Sequence, residues 1–269
     1  MKSRTGRIPI RFFIFHHLFH HLMALFWLIV TLIPLLFFQR RLHREIVSVF
    51  FLLTRRLNAA LAIFSIIFFP GVVLHELSHW VMARILGVRT GTISLVPERT
   101  PEGALRMGYV ETQRTDLARE TLIGAAPLLT GGAFVGFAGF SRLGLDRVWE
   151  QVITPAGLTL AAGFRAVYER PDFWLWFYLI FVVSSMMLPS ESDRRAWLPV
   201  LGFGGIMLLV ALLAGAGEWM MANLAPLVDR AFSAAAIVFG ISSLVHLLLL
   251  VPILLLRRLL NRVTGLRVV

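Results

Sequence analysis

The sequence predicts an all-α polytopic membrane protein of about six transmembrane helices, with a small β-hairpin near its middle. Hydrophobic residues make up 58% of the 269 and charged residues only 15%, against about 25% charged in soluble domains. The apolar residues gather into runs near twenty residues or longer, the length an α-helix needs to cross a ~30 Å hydrocarbon core. The basic residues stand mostly in short segments flanking those runs. Open sheets would leave backbone groups unpaired in lipid, and the alternation of a membrane barrel is absent.

Each element follows in order. Residues 12–38 form an apolar run behind a basic lead. It is too long for the core of a signal peptide and no small-residue cleavage site follows, so it reads as a first span closed by the basic segment 39–44. Residues 46–53 are apolar but short and flanked by Arg, which predicts an interfacial helix. A second span covers 58–88, with Pro70-Gly71 expected to break or kink it. Residues 89–120 are the longest polar stretch, in which 92–96 and 105–112 read as the two strands of a hairpin. Gly- and Ala-rich 122–140 is the third span, and 141–172 is mixed surface sequence. The fourth, fifth and sixth spans are 173–188, 197–216 and 232–256. The chain thus divides into an N-terminal helix with its interfacial segment (1–57), a membrane core (58–197) and C-terminal helices (198–269), without internal repeats or a separate soluble domain. Placing both ends inside would leave the 40–56 arginines outside, against the positive-inside tendency.

The formal net charge of +11 does not indicate nucleic acid. Lys2, Arg4, Arg7 and Arg11, then Arg40, Arg41, Arg44, Arg55 and Arg56, then Arg257, Arg258 and Arg262 flank apolar segments, as residues that anchor helices against anionic lipid headgroups do. An integral protein of a cell membrane, prokaryotic by expectation, fits this pattern. There is no cysteine, which excludes disulfides and thiolate metal sites.

One motif carries chemistry. Residues 75–79 read His75-Glu76-Leu77-Ser78-His79. On a helix, positions i and i+4 share a face one turn apart, so two imidazoles can hold one tetrahedral metal while the adjacent glutamate reaches a water at that metal. Chance produces H-E-x-x-H in roughly one chain in a hundred, but strongly apolar flanks place these ionisable groups where they are costly and mark function. A catalytic zinc needs a third protein ligand and an open position. The candidates are Asp193 and, as the alternative, Glu191, both in the turn after the fourth span. Ser190 and Asp193 also fit S-x-x-D, the pattern of a helix cap, so ligand and cap stand as competing readings of Asp193.

At this point the chain resembles the site-2 protease family of intramembrane zinc metalloproteases. The resemblance rests on the apolar helix with its H-E-x-x-H, the strand pair after it, and a late helix ending in Leu188-Pro189 before an aspartate, and it spans about residues 64–197. It implies His75, His79 and Asp193 as ligands of Zn2+, Glu76 as catalytic base, and a hairpin that presents an extended transmembrane-protein substrate by strand pairing. The family usually has Asp-Gly at its third ligand, where this chain has Asp193-Arg194, and its asparagine near the third span is absent around Gly124-Ala125-Ala126-Pro127.

Peptide-bond hydrolysis within the membrane is therefore the leading expectation. Its rival is a catalytically silent, metal-retaining subunit of a larger membrane complex. A transporter would call for more acidic residues along the spans than the sequence holds. His16, His17, His20 and His21 form two further i, i+4 pairs but have no carboxylate beside them, and His246 reads as a packed or helix-bonded residue.

Overall fold

The computed structural model describes residues 10–99, 105–146, 165 and 167–266. It is mostly helical. In chain order it contains α1 (Ile10–Thr54), α2 (Leu57–Ile85), β1 (Thr90–Ser94), β2 (Glu98–Arg99), β3 (Leu105–Arg106), β4 (Tyr109–Thr112), α3 (Leu117–Phe137) with a π-helical extension (Ala138–Arg142), α4 (Phe173–Met186), α5 (Trp197–Leu213), α6 (Gly217–Asn223) and α7 (Ala225–Thr264). Four helical segments are long and apolar enough to cross a membrane: Met23–Thr54, Leu57–Ile85, Leu117–Arg142 and Ala225–Thr264. A fifth results if α5 and α6, bent by 119° at their junction, count as one span. The chain is a helical membrane protein.

The expected six spans become four or five because α5 counts as a span only together with α6 and because α4 is a shorter helix. Its 14 residues rise only about 21 Å, short of the hydrocarbon core. Ile180 to Ser185 are all buried, so the second half of α4 is packed inside the protein, while Trp174 and Leu175 in its first turn are exposed. A Cβ at Gly71 would overlap the carbonyl of Val182, which shows how closely α2 and α4 cross.

The first span and the interfacial segment are one helix, not two. Nothing between residues 39 and 46 breaks a helix: Arg, Leu and Glu are strong helix formers, and Leu42, Glu45, Ile46, Val49 and Leu52 keep one face buried. Glu45 is 1% exposed and pairs with Arg41 at 2.8 Å and with Arg257 of α7 at 2.8 Å. α1 and α7 run parallel, since the Ser243 hydroxyl donates to the Thr31 carbonyl (3.1 Å) at an earlier level than the Glu45–Arg257 pair. α7 stops at Gly265, whose φ of 69° is the left-handed conformation that ends helices.

α2 continues through Pro70 instead of restarting at Gly71, and the Tyr178 hydroxyl donates to the Ile67 carbonyl (2.7 Å) in the turn the proline loosens. The hairpin forms with different bounds. β1 pairs antiparallel with β4 (Ile93 opposite Val110, Ser94 opposite Tyr109), and β2 with β3 (Glu98 opposite Arg106). Asp116 caps α3 by accepting from the Arg119 amide at 3.0 Å. Most of the surface segment 141–172 lies outside the described residues, as do the side chains of His16, His17, His20 and His21.

Removing the buried Glu45 carboxylate should leave two guanidiniums unpaired. Glu45→Ala is expected to lower stability by about 2–3 kcal/mol, read as a drop in thermal unfolding temperature in detergent, while Arg44→Ala at an exposed position should leave it near wild type.

Candidate metal centre

His75 and His79 lie on α2, one helical turn apart, and their Nε2 atoms are 3.1 Å from each other. Asp193 comes in from the turn after α4. Its Oδ1 is 3.4 Å from His79 Nε2 and its Oδ2 is 3.7 Å from His75 Nε2. These three residues are the group of potential metal ligands among the described residues. Ligands about 2.0–2.1 Å from a tetrahedral ion stand about 3.3 Å from one another, so the spacing fits one small cation.

The hydrogen positions strengthen that fit. His75 Nδ1–H donates to the Met186 carbonyl at 2.6 Å, and His79 Nδ1–H donates to the Ile123 carbonyl at 2.8 Å. A carbonyl only accepts, so Nδ1 holds the hydrogen in both rings and a neutral ring then presents a bare Nε2. Two lone pairs and a carboxylate converge on one point, an arrangement that requires a metal ion or a proton between them.

Local sequence explains how each part arrives. The helical partner of the Ile123 carbonyl would be the amide of residue 127, and residue 127 is a proline, so that carbonyl is free for His79. α4 ends at Met186, and the amide that a continued helix would aim at its carbonyl, that of Ser190, donates to Asp193 Oδ2 instead (2.7 Å). The Ser190 hydroxyl also bonds Asp193 Oδ2 at 2.6 Å, and the Asp193 amide donates back to it at 3.3 Å. This is a reciprocal capping box. Ligand and cap are therefore not alternatives: the cap holds the carboxylate that faces the histidines. Glu191 is exposed and outside the group. A Cβ at Gly124 would collide with the Asp193 carbonyl, so the turn reaches the site only over a glycine.

Glu76 is buried and lies within electrostatic reach of His75, His79, Asp193 and Arg106. It makes no hydrogen bond among the described residues, and it lines a cavity of about 830 Å³ together with the two histidines and Asp193. Gly108, Tyr109 and Val110 are consecutive in that wall. Successive strand residues point to opposite faces, so β4 meets the cavity with its edge. That edge is unpaired among the described residues, because β4 bonds only β1. Gly108 eases the approach there, since a Cβ would stand 3.0 Å from Glu76 Cγ and 3.0 Å from the Ser94 carbonyl.

His246 is helix-bonded, as its sequence context predicts: Nδ1–H donates to the Ser242 carbonyl at 2.7 Å. It also accepts from the Ser185 hydroxyl at 2.9 Å, and Gln39 donates to the Ser185 carbonyl at 2.6 Å. Sequence reasoning missed Ile123, Met186, Gly108 and this Ser185 cluster. Only Pro127, four residues after Ile123, offered a readable signal.

The purified protein is expected to carry about one metal ion per chain by elemental analysis. His75→Ala and Asp193→Ala should lose it and Glu191→Ala should keep it. Ser190→Ala, which removes the cap but no ligand, should weaken binding about tenfold in a chelator competition. No protein-family model, curated protein or solved structure matches this chain.

Proposed function

We propose that this protein is an intramembrane zinc metalloprotease of the site-2 protease type, hydrolysing a peptide bond in a membrane-protein substrate. The observation that carries the reading is the convergence of two bare imidazole nitrogens and a carboxylate at 3.1–3.7 Å beside a buried glutamate and an open strand edge. When bound, zinc would supply Lewis-acid polarisation of the scissile carbonyl and acidify a water. No sulfur ligand competes, and His₂-carboxylate donors suit zinc, with one position left for chemistry.

Glu76 has the properties of the base. It follows His75 directly, shares the cavity with the ligands, and its carboxylate is uncommitted to any hydrogen bond among the described residues. It would take a proton from the attacking water and return it to the leaving amine. The β4 edge would hold the substrate as an added strand, its unpaired amides and carbonyls bonding the extended backbone. A transmembrane helix must unwind first, because its internal hydrogen bonds occupy the scissile carbonyl.

Glu76→Gln is expected to keep its metal and lose about 10²–10⁴-fold in cleavage rate, measured on single-span peptides in nanodiscs. Wild-type protein that holds zinc yet cuts no such peptide would replace the protease reading with that of a silent, metal-retaining subunit.

A further inference from the structure

The cavity beside the candidate metal centre carries charge that the proposed chemistry does not use. Arg106, Arg114 and Arg195 all line it, and none forms an ion pair with a carboxylate among the described residues, whose pairs involve other cations. Of the carboxylates in the wall, Asp193 and Glu76 sit at the centre, and Glu120 accepts from the Thr115 amide at 3.3 Å. With three arginines against Glu120, the rim carries a net positive charge around an acidic centre.

The arginines are placed along the strand edge. Arg106 precedes β4 and Arg114 follows it, about 26 Å apart if the intervening chain is fully extended at ~3.3 Å per residue. Arg195 lines the same cavity from the segment that follows Asp193. Arg106 is held in place, its guanidinium stacked over the Tyr109 ring at 4.3 Å. A guanidinium fixed in this way presents a planar fork of donors, which carboxylates match in two bonds.

We propose that the peptide segment bound along β4 carries aspartate or glutamate on both sides of its scissile bond, Arg106 and Arg114 selecting those flanks. The inference rests on the reading of β4 as the substrate edge and adds the class of sequence that edge prefers. Lipid phosphate could pair with the same cations. However, these three converge on a cavity walled by a strand edge, whose alternating amides and carbonyls match a peptide backbone and find no counterpart in a headgroup.

The test uses the full-length Glu76→Gln protein in zwitterionic nanodiscs and fluorescent single-span peptides identical except for Asp, Asn or Lys flanks. Anisotropy should rank binding Asp over Asn over Lys, with the differences shrinking as salt rises. Arg106→Gln and Arg114→Gln should each cut the Asp preference about two- to five-fold, and Arg106→Lys and Arg114→Lys, which keep the charge but lose the planar fork, should fall between wild type and the Gln variants. Retained metal content in each variant reports an intact fold around His75. Equal binding of Asp and Asn peptides, or full preference in the double Gln variant, would overturn the proposal. So would a loss confined to capture of phosphatidylglycerol vesicles, which would assign the arginines to lipid. Wild-type protein that selects Asp-flanked peptides without cutting them would remove the protease reading and leave charge selection standing. Cleavage indifferent to the flanks would do the reverse.

Discussion

The site depends on where two hydrogens sit. With the Nδ1–H groups of His75 and His79 committed to the carbonyls of Met186 and Ile123, both rings aim bare nitrogens at the point that Asp193 also faces. Three acceptors meeting without a donor repel one another, and the repulsion grows where few waters screen it. One positive charge at that point turns it into attraction. The charge would then tie together α2, which carries the histidines, the start of α3, the end of α4 and the turn bearing Asp193. Filling the centre and locking the helices against each other are one event.

Close packing makes that convergence geometrically available. Helices in lipid gain little from burying apolar surface against one another, so contact distance and hydrogen bonds decide their association. Gly71 lets α2 touch the α4 backbone, Gly124 lets the Asp193 turn touch α3, and Gly108 lets the strand edge touch Glu76. Each sits where a single methyl group would separate two parts of the site. The Gly-rich character of the third span was visible in the sequence. The partner each glycine admits was not, because those partners are distant in the chain.

What was legible follows the same division between local and distant. The His75–His79 pair could be read because i, i+4 geometry is a property of one helix. Asp193 could be reached only by weighing chemistry, and the capping pattern that competed with it turned out to be the means of holding it. The arginines at 40–44 were misread as a helix end: charge marks where lipid stops, whereas a helix stops only where its backbone hydrogen bonds do. α4 was read as a full span for a related reason, since an apolar helix half enclosed by protein and one enclosed by lipid have the same composition. The carbonyl of Ile123 was predictable in principle, as Pro127 has no amide to occupy it. Nothing local pointed to Met186 or to Ser185.

The α1–α7 pair extends this logic away from the centre. Because the two helices run parallel, Arg40, Arg41 and Arg44 share an end with Arg257, Arg258 and Arg262. Their mutual register is fixed less by apolar contacts than by charge. Leu, Val and Ile recur along both helices, so a slip of one turn, about 5.4 Å, would exchange one greasy contact for another. It would also draw Arg257 off Glu45 and leave a buried carboxylate with half its compensation, a cost of several kcal/mol. That register matters at the centre, because Gln39 of α1 and His246 of α7 both bind Ser185, the residue before the carbonyl that orients His75. An ion pair remote from the candidate ligands therefore bears on the placement of a histidine hydrogen, through two helices and one serine.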